Sequence, residues 1–300
     1  MTETLTRTER KATSVPQRRD SRRSNLLSIL LWLCALYFVL PLVWLLIAST
    51  KDNSDLFSTF GFWFGRGFSL WDNLVSVFTV RDGQFARWGL NTIIYAGVSA
   101  IGASLLATMA GYAFAKYKFP GATAMFSVIL GAIMIPLTAL ALPTYLIFNS
   151  IHLTNTMWAI IVPSLVSPFG VYLMRVYAAD SVPDSLLEAA RMDGAGELRI
   201  FWQVGIRLLS PGIVTVFLFS LVATWNNYFL PLIMLNSSDL YPLTVGLAQE
   251  QSASAAGGGA QALFSTVITG SFISVVPLVI AFLFLQRYWQ SGLATGSVKG

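Results

Sequence analysis

Apolar residues in this chain come in long runs rather than in alternation. Six segments are long and apolar enough to cross a bilayer: 26–48, 90–115, 124–148, 157–178, 209–234 and 264–288. At about 1.5 Å per residue, the 23 residues of 26–48 reach across a hydrocarbon core of roughly 30 Å. All six are predicted as helices, because a helix satisfies its backbone hydrogen bonds within the segment. A membrane barrel would need shorter, alternating segments. Polar connections separate the runs, the longest being 49–88, 179–208 and 235–263. The pattern therefore predicts an all-α polytopic membrane protein with six transmembrane helices over 26–288. A basic, disordered tail (1–25) precedes them and a short tail (289–300) follows. The run 26–48 is read as a retained helix, since a signal peptide has a shorter apolar core followed by a small-residue cleavage site.

Prolines fall inside several of the runs, among them Pro41, Pro136, Pro143, Pro163, Pro168 and Pro277. Each removes a backbone donor and is expected to kink its helix. One such kink is ordinary packing; six across four helices fit a bundle that encloses a pathway. Gly97, Ser99, Ala100, Gly102, Ala103 and their small neighbours up to Gly111 predict close packing of the second helix against its neighbours.

Composition narrows the class. The chain has 300 residues, 55% hydrophobic and 11% charged, with a mean hydropathy of +0.66. A soluble domain carries about a quarter charged residues, so a membrane protein is expected. The net charge of +5 does not point to nucleic acid once its placement is seen. Fifteen of the Lys and Arg residues lie in the two tails, in the connections that share their side and, for Arg175 and Arg287, at the ends of the runs that meet them; Lys51, Arg66, Arg81 and Arg87 lie on the other. Cytoplasmic loops carry the excess of Lys and Arg, which puts both termini in the cytoplasm of a bacterial cell. Cys34 has no partner for a disulfide and His152 has no second histidine or cysteine beside it, so neither a metal site nor a catalytic site is expected. Trp63, Trp71 and Trp88 in the outer connection read as interfacial anchors. The stretch "SASAAGGGA" (252–260) reads as a flexible linker.

The connection 179–208 is the unusual one. Within "SVPDSLLEAARMDGAGELRIFW", Ser181 is placed to cap a helix and Asp184 follows at capping-box spacing. Pro183 falls in the first turn, where proline is tolerated. Leu186 to Met192 favour a short helix, Gly194 and Gly196 break it, and a second helical run starts near Glu197. The predicted product is a helix-turn-helix presenting Glu188 and Asp193. Two readings fit: a solvated amphipathic connector, or a knob that docks in a groove of a cytoplasmic partner. The two acids are five residues apart and do not share a helix face, which disfavours enzyme chemistry.

"EAARMDGA" (188–195) resembles the EAA motif of membrane permease subunits of binding-protein-dependent ABC importers. The segments "GYAFAKYKFPG" (111–121), "TWNNYFLPLIML" (224–235), "YPLTVGL" (241–247) and "QRYWQSGLATGSVKG" (286–300) extend the likeness. They are most similar to carbohydrate-uptake permeases, in particular the second permease of the maltose-transporter type. The resemblance covers residues 26–300. It implies that the 179–208 loop is a cytoplasmic coupling helix seated in a separate ATPase subunit. Glu188 would make docking contacts, Ala189 and Ala190 would allow close approach, Gly194 would make the turn, and Asp193 and Ala195 would share in the coupling to the ATPase. It further implies that Gly296, Ser297, Lys299 and Gly300 reach the ATPase interface. A second permease, two ATPase copies and an extracytoplasmic solute-binding protein would be the partners. This chain has no P-loop, so ATP and Mg2+ would be bound by the ATPase. Arg207 stands where the family usually has a proline, which puts the link to the fifth span in question.

Trp225, Asn226, Asn227 and Tyr228 are polar or aromatic groups within a span and are the candidate substrate-pathway residues. Helix–helix packing is the other account of them. Solutes other than sugars (a polyamine, a phosphate ester, a peptide) and an ATPase-independent secondary transporter are the rival expectations. The latter predicts acids inside the spans, yet all fourteen Asp and Glu residues lie outside them.

Overall fold

The computed structural model describes residues 21–256 and 263–296. Fourteen α-helices occur among the described residues, and no strand. In chain order they are α1 (Ser21–Ser49), α2 (Asn53–Ser58), α3 (Leu70–Thr79), α4 (Gln84–Lys116), α5 (Ala122–Ile133), α6 (Leu137–Ser150) and α7 (Trp158–Ser164). There follow α8 (Pro168–Ser181), α9 (Asp184–Met192), α10 (Glu197–Ile200), α11 (Ile206–Trp225), α12 (Phe229–Met234), α13 (Leu243–Ala256) and α14 (Phe264–Gly296). Five helical stretches are long and apolar enough to cross a membrane, or six if the bent pair α5–α6 counts as one.

The described residues fall into two units divided between Trp44 and Leu45. The first is the apolar helix α1 up to that point, with Pro41 inside it. The second is built around α4, which packs on α8 and α11; α14 packs on α11 and α3. The buried positions of α4, including Thr92, Ala96, Ala100, Ala103, Ala107 and Gly111, recur every three or four residues, one face of a helix. They are small because α8 comes close. A Cβ on Gly111 would lie 2.5 Å from the Cβ of Met174 and 2.7 Å from the backbone nitrogen of Arg175. Without a hydrophobic gain between helices in lipid, such backbone approach supplies dispersion contact instead.

Three of the six apolar runs are broken. Run 124–148 becomes α5 and α6, bent by 107°, with Pro136 capping α6 rather than kinking a continuous helix. Run 157–178 breaks at 165–167, and Pro168 starts α8, where its missing N–H costs nothing. Run 209–234 breaks at 226–228 between α11 and α12.

Two expectations on the 49–88 and 235–263 connections change. Trp63 and Trp71 are exposed, but Trp88 is buried at 4% exposure. Its Nε1 donates to the Ser238 carbonyl at 2.9 Å, so it is a packed residue and not an interfacial anchor. Residues 252–256 of the expected linker are the last turn of α13, and Ser254 is buried there. Ala, Ser and Gln are compatible with a helix once neighbours cover it. Residues 257–260 of that stretch lie outside the described residues.

The segment after α1 is folded and ordered by polar groups. Lys51 is buried, and its Nζ donates to Thr59 Oγ1 (2.9 Å) and to the Phe60 carbonyl (2.8 Å). The buried Asp55 carboxylate accepts the Arg66 backbone N–H at 2.6 Å. The Asn73 amide donates to the carbonyls of Ser49 (2.9 Å) and Lys51 (2.8 Å), satisfying the open end of α1.

Candidate functional site

The 179–208 connection folds as a helix, a tight turn and a short helix. Helix α8 runs through Ser181, so Ser181 does not cap α9; Pro183 holds that position, without a side-chain cap bond. The Asp184 carboxylate, expected to complete a capping box, instead accepts from Lys116 Nζ at 2.8 Å. The ammonium holds the Asp184 carboxyl below the usual carboxylate range, chiefly through this hydrogen bond. Helix α9 ends in a paired motif. The Gly194 N–H bonds the Arg191 carbonyl (2.9 Å) and the Ala195 N–H bonds the Ala190 carbonyl (3.0 Å). This is a Schellman cap, which requires a left-handed residue at its glycine position, and Gly194 has φ +79°.

One face of this segment is anchored. Leu187 and Ile200 are buried in a cluster with Tyr112, Met174, Ala178 and Leu209, so α9 and α10 are built into the ends of α4, α8 and α11. The Tyr117 hydroxyl donates to Glu197 Oε2 at 2.8 Å, and Arg191 grips the same carboxylate through Nε at 2.7 Å and Nη2 at 3.3 Å. Arg191 is pushed up from its ordinary value, first by that hydrogen bond. The other face is open. Glu188, Ala189, Asp193 and Gly194 are exposed, and neither acid's carboxylate is in a hydrogen bond or ion pair among those described; Asp193 bonds only through its backbone N–H, to the Ala189 carbonyl at 3.0 Å. Ala190 and Ala195 are half-buried against the inner cluster. Beyond α10 the chain makes a π turn, Phe201–Gly205, and enters α11 without a break; Arg207 sits in the first turn of α11. Gly296 is the last residue of α14; Ser297, Lys299 and Gly300 lie outside the described residues.

A cavity of about 350 Å³ lies elsewhere, between the end of α11, α13 and α14. Trp225, Asn226 and Tyr228 line it, as do Thr244 and Gln251 of α13 and Ser271 and Ser274 of α14. Asn227 does not line it. Its Oδ1 accepts from the Leu230 N–H at 3.4 Å and its carbonyl accepts from Thr244 Oγ1 at 2.8 Å, so it shapes the α11–α12 break. The sequence reading found the residues from one segment and missed those that α13 and α14 contribute. It also missed Lys116 and Tyr117, whose partners are 68 and 80 residues away. Among the described residues no cluster of His, Cys, Asp or Glu is placed to hold a metal ion.

The long apolar helices, the charged hairpin at the end of α4 and the cavity between broken spans define a membrane permease component. The chain belongs to the family of binding-protein-dependent transport system inner membrane components, whose family model matches residues 103–293. Among its relatives is the arabinooligosaccharides transport system permease protein AraQ of Halalkalibacterium halodurans. It is 32% identical over 280 residues, covering 91% of this chain and 98% of the relative. The lactose transport system permease protein LacG of Rhizobium radiobacter is 29% identical over 270 residues, covering 89% and 93%. In fold, the chain is similar to one from a bacterial ABC transporter involved in the import of the acidic polysaccharide alginate. The TM-score is 0.77 at 24% identity, over 92% of this chain and 100% of that one.

Proposed function

We propose that this chain is the permease subunit of an ATP-driven importer that carries a sugar or sugar derivative into a bacterial cytoplasm by alternating access. It pairs with a second permease, and two cytoplasmic ATPase subunits bind the ATP and Mg2+. An external binding protein delivers the solute. Both termini face the cytoplasm, as the Lys and Arg placement suggests. The carbohydrate reading is supported by the relatives that transport arabinooligosaccharides and lactose.

One observation carries the coupling role. The hairpin is fastened to the bundle on one face through Leu187, Ile200, Lys116 and Tyr117, while Glu188, Ala189 and Asp193 stand open on the other. A short, anchored helix transmits displacement to the spans it is packed on; ATPase closure biases a two-state bundle through it. The tail at Gly296, Ser297, Lys299 and Gly300 adds to the same ATPase interface.

The test is co-purification of the solubilised complex, comparing the natural chain with Glu188→Ala and Gly194→Pro. The natural chain is expected to bring down an ATPase and a second permease. Gly194→Pro, which cannot adopt φ +79°, is expected to lose the ATPase and keep the permease. An ATPase retained by both variants, or never recovered, overturns the coupling role.

A further inference from the structure

The polar groups around the cavity are not balanced between donors and acceptors. Trp225 Nε1 donates to the Ser274 carbonyl at 3.2 Å. Asn226 Nδ2 donates to the Val222 carbonyl at 2.9 Å. The Thr244 hydroxyl donates to the Asn227 carbonyl at 2.8 Å, Ser271 to the Val267 carbonyl at 2.8 Å, and Ser274 to the Ser271 carbonyl at 2.7 Å. A hydroxyl has one hydrogen and two lone pairs, and a primary amide has an acceptor oxygen beside its two N–H groups. Once the hydroxyl hydrogens and the indole N–H are committed to the backbone, the oxygens of Asn226, Thr244, Ser271 and Ser274 remain as acceptors. The donors still uncommitted are the second Asn226 N–H, the Tyr228 hydroxyl and the Gln251 amide. No Lys or Arg is among the lining residues described. Arg81 lines a separate cleft together with Glu250, which holds it at 2.6 Å.

We infer that this cavity selects neutral, hydroxyl-rich carbohydrate and excludes carboxylated or phosphorylated solutes. The inference rests on the reading of the chain as a sugar permease and specifies its cargo. Sugar hydroxyls carry both a donor and acceptors, and so can meet the wall's surplus of acceptor oxygens and its few uncommitted donors alike. A carboxylate or phosphate group brings only acceptors to a lining with no Lys or Arg, where neutral donors leave its charge uncompensated as it loses water. The first turn of α13 also favours an anion, but its Leu243 N–H is already given to Thr92 Oγ1 at 2.8 Å. A helix terminus restores only part of what an unpaired ion loses on desolvation. Thr244, Gln251, Ser271 and Ser274 thereby become specificity-determining residues.

The experiment is equilibrium binding to the solubilised complex of this full chain with its second permease and ATPase, without the soluble binding protein. The probes are arabinotriose, lactose, digalacturonate, glycerol phosphate and spermidine. At least one neutral sugar is expected to bind, and digalacturonate and glycerol phosphate at least tenfold more weakly. Ser271→Ala with Ser274→Ala removes two acceptors and is expected to weaken the neutral sugar about tenfold; Ser271→Thr with Ser274→Thr keeps the hydroxyls and is expected to restore it. Digalacturonate bound as tightly as the neutral sugar overturns the inference and leaves the sugar reading standing. Spermidine bound with no sugar bound overturns the sugar reading itself. Binding of the neutral sugar unchanged by the double Ala variant, or no neutral sugar bound at all, also overturns the inference.

Discussion

The segment after α1 and the hairpin α9–α10 are both polar interruptions of an apolar chain, and they handle charge in opposite ways. In the first, Lys51 and Asp55 are withdrawn from solvent and satisfied by groups within twelve residues of each. In the second, the charges stay at the surface: Asp184 is 77% exposed and Glu197 46% by side chain, and Glu188 and Asp193 are open. Buried, self-contained charge fixes the shape of a segment, because leaving either partner alone is costly. Exposed charge adds little to stability and remains free to meet another surface. The contrast assigns shape to the first segment and contact to the second.

The largest effect is expected from Asp55→Ala, which strands the Arg66 N–H and removes the carboxylate that organises 55–67. Thermal unfolding of the purified chain is expected to show a loss of about 3 kcal/mol. Lys51→Met should follow at about 2 kcal/mol, since it leaves the Phe60 carbonyl without its donor. At the other end, Gly194→Val places a β-branched residue at φ +79° at a cost of about 1–2 kcal/mol. That cost is local, so the midpoint should shift less than with Asp55→Ala while ATPase co-purification falls.

Glu250 tests the rule within the bundle. Burial pushes its carboxyl up, and Arg81 offsets this only in part. A carboxyl raised in the folded state contributes stability that is present below its unfolded value, 4.5, and lost as pH rises through the folded value. Glu250→Gln is therefore expected to leave the melting point at pH 7 unchanged or slightly higher, whereas Asp55→Asn lowers it. The smallest effect on stability belongs to Glu188→Ala: no change in melting, with loss confined to ATPase binding. Asp184 is depressed by Lys116, so its contribution is present above its unfolded value of 3.8 and lost only as pH falls through the lower folded value. The protection of the α9 amides against hydrogen exchange, with the intrinsic pH dependence of exchange divided out, should accordingly stay constant from pH 7 to 5.

Hydropathy exposed the six runs because crossing a bilayer leaves a signal in every residue of the segment. It did not expose the breaks at 165–167 and 226–228, which depend on what packs beside them. Helix α13 was hidden for a related reason. Four of its buried residues, Leu243, Gly246, Glu250 and Ser254, share one helical face, but only one of the four is a large apolar residue, so hydropathy does not mark the face. In the hairpin, Gly194 was legible because helices commonly end on a glycine in the left-handed conformation, as α9 does here at φ +79°. Asp184 was misread as a capping residue, since Lys116 lies 68 residues upstream and nothing local announces it. At the cavity, Trp225, Asn226 and Tyr228 stood out as polar groups in a span. Ser271 and Ser274 did not, because small hydroxyls on an apolar helix look the same whether they face lipid, a neighbour or a cavity.

The π turn at Phe201–Gly205 is also a matter of phase. A π turn holds one residue more than an α-helix needs over the same rise, and each residue of an α-helix advances about 100° around its axis. The face that α10 offers is thus set about 100° away from where a regular helix continuing into α11 would point it. Deleting a single residue from 201–205 would heal the turn and rotate Glu197 away from Tyr117. In this permease, the aim of the hairpin is held in the count of residues as well as in their chemistry.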